Sequence, residues 1–281
     1  MLLAIDAGNT QTVIGVFDRP TPGGGAGGNL LHHWRIATDI ERTADEHALL
    51  VSQLLTLSGF DPFGAVSGVA ISSTVPRVQS ALRDMVDHWF RVPSVVVGPG
   101  VDTGMPILYE TPRDVGPDRI ANAVAALERY PPPVIVVDFG TATTFDVVSP
   151  RGEYLGGAIL PGIEISMEAL FARTSMLRRV ELVEPTHVVG RSTVESIQSG
   201  IIFGYAAMTD GMCRRLQDEV GPATVVATGG LADFMAPYSA CISHHEPWLT
   251  LHGLRILFDR STGSAGTGRP GREGSGPGVG D

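Results

Sequence analysis

The sequence predicts an α/β protein built from two duplicated, layered domains that face each other across a cleft. Two observations carry this prediction. The segment Asp6-Ala7-Gly8-Asn9-Thr10-Gln11-Thr12, which follows the apolar run Leu2 to Ile5, has a counterpart in Asp138-Phe139-Gly140-Thr141-Ala142-Thr143-Thr144, which follows Val134 to Val137. Strand-like and helix-like stretches also alternate along each half. Each acidic segment reads as a buried strand ending in Asp, a turn with Gly, small hydroxyl residues and a second apolar stretch. Alone, either one is an ordinary hairpin turn. Two copies, one in each half, point to two units of common ancestry.

The elements follow in chain order. Residues 1–17 read as two strands joined by the first acidic turn, and Pro20 to Asn29 as a mobile Gly/Pro loop. Leu30 to Ala37 reads as a strand. Thr43 to Leu57 has helical spacing, with Ala44, Ala48, Leu49, Val51, Leu54 and Leu55 apolar. Val66 to Ser72 is a short strand, Pro76 to Phe90 a helix, and Val95 to Val97 a strand ended by Gly98-Pro99-Gly100. Tyr109 to Asn122 links the halves, with Gly116-Pro117 ahead of Asp118-Arg119. Ile120 to Tyr130 reads as a helix, stopped by Pro131-Pro132-Pro133. After the second acidic hairpin, Tyr154 to Leu160 is strand-like, and Pro161-Gly162 opens a helix to about Arg173. Val194 to Val220 is a long helix in which Gly200 and Gly204 allow another helix to approach, and Thr224 to Ala227 is a strand entering Thr228-Gly229-Gly230. The expected division is residues 1–115, residues 116–260, and a disordered Gly-rich tail over 261–281, which has little to bury.

Composition narrows the function. The chain has 281 residues, 43% hydrophobic and 18% charged, as in globular proteins. No stretch is long and apolar enough for a membrane span, and no basic region precedes the first strand, so a cytoplasmic location is expected. Cys213 and Cys241 are too few for a disulfide framework or a cysteine zinc site. A net charge of −10 argues against a general nucleic-acid binder. All twenty basic residues are Arg. Without lysine there is no Walker P-loop, no protein-kinase strand lysine and no Schiff base.

The two acidic loops are suited to a nucleoside triphosphate. Glycine lets the backbone approach a ligand, amides and hydroxyls hold phosphate oxygens, and the two Asp carboxylates hold a hard cation. Asp118-Arg119 opens a helix. As a bland alternative Asp118 is a helix cap; in the functional reading it accepts the proton of an attacking hydroxyl while Arg119 holds an anionic group of the acceptor. Gly156-Gly157 with Pro161-Gly162, and Thr228-Gly229-Gly230, are weaker signs of nucleotide-contacting turns. His32-His33 and His244-His245 lack spaced partners for a metal. Ser72-Ser73-Thr74 has no nucleophile-elbow pattern.

In order along the chain, these motifs resemble type III pantothenate kinases. The likeness covers most of residues 1–258. It runs through Asp6-x-Gly8-Asn9-Thr10, Val97-Gly98-Pro99-Gly100 to Gly104-Met105, Tyr109-x-x-Pro112 and Gly116-x-Asp118-Arg119-x-x-Asn122. It continues with Asp138-x-Gly140-Thr141-Ala142-Thr143, Gly156-Gly157-x-Ile159-x-Pro161-Gly162, Gly190-x-Ser192-Thr193-x-x-Ser196-Ile197-Gln198-Ser199-Gly200 and Thr228-Gly229-Gly230. The resemblance implies the actin-like (ribonuclease-H-like) fold of the sugar kinase, heat-shock chaperone and actin superfamily. It also implies ATP-dependent phosphorylation of pantothenate to 4'-phosphopantothenate, the first step of coenzyme A synthesis, by a homodimer.

It further implies residue roles. Asp6, Ala7, Gly8, Asn9, Thr10, Gln11, Thr12 and Val13 would form the ATP phosphate loop, with Asp6 near Mg²⁺ and Thr141 also contacting ATP. Asp138 would bind K⁺ or NH₄⁺. Tyr109, Gly116, Pro117, Asp118 and Arg119 would line the pantothenate pocket, Asp118 as general base, and Thr193 would reach pantothenate across the dimer interface. Pro117 replaces a small variable residue of the family. The loop at 20–29 and the tail after about 260 fall outside the pattern. The competing readings are another kinase of the same superfamily, a chaperone-like ATPase without an acceptor, and an inactive relative.

Overall fold

The computed structural model describes residues 1–19, 28–174 and 179–263. The expected mobile loop therefore falls mostly, and the expected tail almost wholly, outside the described residues. Residues 261–263, placed in that tail, instead complete the last helix.

The first half begins with a meander of β1 (Leu2–Ala7), β2 (Gln11–Phe17) and β3 (Leu30–Ala37), each antiparallel to the last. Helix α1 (Ala44–Leu57) follows, then β4 (Gly68–Ser73), α2 (Pro76–Met85) and β5 (Ser94–Val96). Strand β4 lies parallel to β1, and β5 parallel to β4, so the order is β3-β2-β1-β4-β5. Helix α1 starts at a capping box between Thr43 and Glu46, which pairs two amides that the first turn leaves free. The sequence places one helix over 76–90; the structure ends α2 at Met85 and continues with a π-helical turn, Val86–Phe90, closed by Arg91 at φ 53°.

After α3 (Pro117–Arg129) the same plan repeats. The meander is β6 (Val134–Phe139), β7 (Ala142–Val148) and β8 (Tyr154–Pro161). Helices α4 (Ile163–Arg173) and α5 (Thr193–Val220) precede β9 (Thr224–Thr228), which lies parallel to β6. Helix α6 (Ala232–Met235) leads to β10 (His244–His245), giving the order β10-β9-β6-β7-β8. The duplication read from the two acidic segments is thus a repeat of whole-sheet topology.

Period-two alternation in the central strands builds a layered molecule. Leu3 and Ile5 of β1 face outward onto Ala48, Val51 and Leu55 of α1 and Val78 and Leu82 of α2. Leu2 and Ala4 face inward. In β6, Ile135 and Val137 face α4, α5 and α6, while Val134 and Val136 face inward. The two inner faces share one core with α3 and a last helix, α7 (Leu249–Gly263). Each fully buried Leu, Ile or Val in these layers contributes about 1.5–3 kcal/mol.

Helix α7 escapes the sequence reading, as do α6 and β10. Leu249, Leu251, Gly253, Leu254, Ile256, Leu257 and Phe258 are all buried, a broad apolar face that leaves His252, Arg255 and Asp259 as a narrow polar stripe. It packs on α3 and on β1, β2, β4 and β5, although it is coded after the second sheet. At Gly253 a Cβ would run into the backbone of Ala121, so glycine sets how closely α3 and α7 cross.

Candidate active site

The two acidic hairpins open toward each other. In the first, Asp6 stands near the end of β1 opposite Val13, and the Gly8 amide donates to the Gln11 carbonyl at 3.0 Å. In the second, Asp138 pairs with Thr144, and the Gly140 amide donates to the Ala142 carbonyl at 3.1 Å. The Thr10 and Thr141 hydroxyls are hydrogen-bonded across the gap at 3.1 Å.

Between them lies a cleft of about 310 Å³. Asp6, Gly8, Asn9, Thr10, Gln11, Val13, Asp118, Asp138 and Thr141 all line it, as expected for one site. Ala7 and Thr12 sit behind the loop: Ala7 is fully buried and the Thr12 hydroxyl is bonded to that of Thr38 at 2.8 Å. Across the cleft, β9 ends in Thr228-Gly229-Gly230, which also lines it. Gly229 has φ 96°, and a Cβ there would collide with Asp138 and Phe139. Only glycine lets β9 turn so close to the second acid.

Three carboxylates converge from three elements: Asp6 from β1, Asp138 from β6, and Asp118 from the first turn of α3. Gly116 precedes α3 and Pro117 takes its first position, where a missing N–H costs nothing. The Asp118 carboxylate accepts from the Arg119 amide at 2.9 Å. Burial raises its pKa above the usual carboxylate range, against the pull of that amide and of the Arg119 guanidinium. Asp6 is pushed up to about 7 by burial and then by Asp118 and Asp138, with Ser72 opposing. Asp138 is also pushed up to about 7, by burial and then by Asp118, while its hydrogen bond from Asn122 opposes. Crowded, desolvated carboxylates resist ionising together.

That crowding suits a cation. Among the described residues no lysine or histidine lines the cleft to balance the acids. Among the described residues no group of three His, Cys, Asp or Glu side chains forms a metal cage. One or two carboxylates that leave the remaining positions to water and phosphate are the donor set of a hard cation carried with a nucleotide.

A buried scaffold holds Asp138. Asn122 of α3 donates to it at 3.0 Å, and the Thr250 hydroxyl of α7 donates to the Asn122 carbonyl oxygen at 2.8 Å. Next to this, Arg119 donates from Nε to Asp146 at 2.7 Å, inside the protein. The Tyr154 hydroxyl donates to the same carboxylate at 2.7 Å, and Thr144 at 3.2 Å. Burial still lifts Asp146 to about 6. Among the described residues the two terminal nitrogens of Arg119 have no hydrogen-bond partner. Tyr109 lies over Gly156, where a Cβ would stand 2.9 Å from its ring, and its ring centre is 6.5 Å from that of Tyr154.

Tyr109, Gly116, Pro117 and Arg119 therefore form a wall beside Asp118 rather than part of the cleft lining. Thr193 is exposed at the start of α5 and lies outside the cleft of its own chain. Sequence reasoning missed Asp146, whose signal is an acid inside the apolar run Phe145-Asp146-Val147-Val148. It also missed Arg35, Glu164, Pro247 and Trp248, which line the cleft from outside any local motif.

The type III pantothenate kinase family matches residues 2–215. The chain is 56% identical to the type III pantothenate kinase of Myxococcus xanthus (strain DK1622) over 265 residues, covering 94% of this chain and all of that one. It is 50% identical over 273 residues to that of Streptomyces griseus, again over 94% of this chain and the whole relative. Among solved structures, a conserved putative Baf family transcriptional activator from Campylobacter jejuni superposes with a TM-score of 0.58 at 17% identity, covering 93% of this chain and 99% of that chain. Component A of the Acidaminococcus fermentans (R)-2-hydroxyglutaryl-CoA dehydratase gives 0.54 at 13%, covering 95% and 99%. These two likenesses concern the fold alone. With its motifs in order, its duplicated sheets and relatives matched over their full length, the chain belongs to the type III pantothenate kinase family.

Proposed function

We propose that this protein transfers the γ-phosphoryl group of ATP to the primary hydroxyl of pantothenate, giving 4'-phosphopantothenate at the entry to coenzyme A synthesis. The observation that carries the reading is the meeting of Asp6, Asp118 and Asp138 in one cleft between two facing hydroxyl-rich loops, in a member of this family.

Phosphoryl transfer has a loose transition state, so positioning and neutralisation of charge dominate. Residues 6–13 and Thr141 hold the phosphates with amides and hydroxyls. Asp118 accepts the hydroxyl proton as the new O–P bond forms and the bond to the ADP oxygen breaks. A pKa raised by burial makes its carboxylate a better base than an exposed aspartate. Arg119, oriented by Asp146, presents its free nitrogens to the pantothenate carboxylate, and Tyr109 walls that pocket. Asp6 would hold Mg²⁺ carried with ATP and Asp138 a K⁺ or NH₄⁺ ion; these cations supply positive charge in a chain without lysine.

The lobes that would close on the substrates are those read at 1–115 and 116–260. We further propose a cytoplasmic homodimer. The exposed Val188, Val189 and Val194 beside and on α5, and the open space at Gly200 and Gly204, provide an apolar face. Thr193 would reach the partner's pantothenate from there. Among the described residues no helix is long and apolar enough to cross a membrane.

The test is ADP release from ATP and Mg²⁺, with and without pantothenate, in K⁺ or NH₄⁺ and then in Na⁺. Release that needs pantothenate and the larger monovalent ions is expected. Release without pantothenate would sink the kinase reading in favour of an ATPase.

A further inference from the structure

The cleft is short of positive charge. Asp6, Asp118, Asp138 and Glu164 line it, and among its lining residues Arg35 alone carries a cationic side chain. Arg35 stands on β3, opposite Val13 of the first acidic hairpin. Its Nη1 donates to the Gln11 side-chain oxygen at 3.2 Å. Among the described residues it makes no ion pair with a carboxylate. It reaches across the cleft to the other half: a Cβ placed on Gly230 would stand 2.8 Å from the same Nη1.

Among the described residues Arg35 makes no hydrogen bond or ion pair with Asp6, Asp118 or Asp138. Its neighbours are Gln11 and Gly230.

We propose that Arg35 binds the α- and β-phosphates of the nucleotide, the diphosphate that is not transferred, and bridges the two halves of the protein when it does so. The proposal rests on the nucleotide reading above. A guanidinium presents several donors in a planar fork that matches two phosphate oxygens at once. Its single polar tie, to Gln11, is to a neutral group on the same sheet and is easily exchanged for a charged acceptor. Because Arg35 starts from the first sheet and ends at Gly230 of the second half, a diphosphate held there links the two. Binding of ADP would then favour the closed arrangement without any contact from the acceptor.

The experiment compares wild type with Arg35→Gln by calorimetry, using ADP directly and adenosine in competition with ADP. Loss of a hydrogen-bonded charge from a phosphate site weakens ADP about 10- to 100-fold. Adenosine affinity is expected to stay within about threefold of wild type. In turnover, the ATP KM rises by a similar factor to the ADP loss, and kcat stays within about threefold. Unchanged ADP affinity in the variant overturns the assignment. Equal weakening of ADP and adenosine also overturns it, since that is the signature of a structural role. A loss of ATP affinity with ADP unaffected would move Arg35 to the γ-phosphate and equally refute the proposal. A wild-type protein that binds no ADP would instead sink the nucleotide reading itself, which separates the two failures.

Discussion

The hydroxyls of Thr10 and Thr141 lie 3.1 Å apart although 131 residues separate them in the chain. Each sits in the turn of its own acidic hairpin, so the contact marks where the two halves meet. On the proposed reading, a phosphate entering the cleft would exchange this mutual bond for two bonds to itself. Thr141→Val keeps the shape and deletes one donor. It is expected to raise the ATP KM about 3- to 10-fold with the pantothenate KM little changed. Steady-state kinetics in both substrates checks this, and an unaltered ATP KM removes Thr141 from the phosphates.

Asp118→Asn keeps size and hydrogen bonding but cannot take a proton. Turnover is expected to fall about 10²- to 10⁴-fold, the range for a lost general base. ADP affinity, read by calorimetry, stays near wild type. Near-normal turnover would take Asp118 out of that role.

The buried Arg119–Asp146 pair predicts a stability pattern. Removing one partner strands the other charge inside the protein, so Asp146→Ala is expected to cost about 3–5 kcal/mol in urea unfolding. The double variant Arg119→Met with Asp146→Leu leaves no stranded charge and is expected to lose less than Asp146→Ala alone. If the double loses more, the pair itself stabilises the fold.

His47 lies buried in α1, and its Nε2 has no hydrogen-bond partner. Burial, then the nearby Arg42, depresses its pKa to about 4. Between pH 6.5 and about 4 the unfolded chain takes up a proton that the folded one refuses, so this residue's contribution falls as pH falls through that window. His47→Leu removes the effect. The variant's melting temperature minus that of wild type is expected to rise from pH 7 to pH 5. The raised carboxylates Asp6 and Asp138 act with the opposite sign, but they are present in both proteins and cancel in the difference. A flat difference would show that the imidazole protonates freely in the fold.

Much of the architecture was legible because its signals are local. The two hairpins, each a strand running through Asp6 or Asp138 into a Gly-containing turn, and the helical spacing over 43–57 are written in a few adjacent residues. The π-helical turn at Val86–Phe90 was not legible, since an α-helical apolar pattern continues through it. Helix α7 was missed because its place is set by packing on a sheet coded far earlier in the chain, and with it went Thr250, which orients Asn122 on Asp138.

The amino-acid sequence by itself determined the duplicated α/β plan, the two acidic loops, the absence of any lysine chemistry and the family. These depend on residue types and on spacings along the chain. Tertiary structure alone decided that Asp6, Asp118 and Asp138 share one cleft, that Arg119 is committed through Nε to Asp146, and that Arg35 reaches Gly230. The physical reason is the common core between the sheets. Helices α3 and α7 pack there against both halves, and their close crossing at Gly253 and Ala121 sets how far apart the two hairpins stand. No short stretch of sequence carries a distance fixed by the packing of segments so far apart.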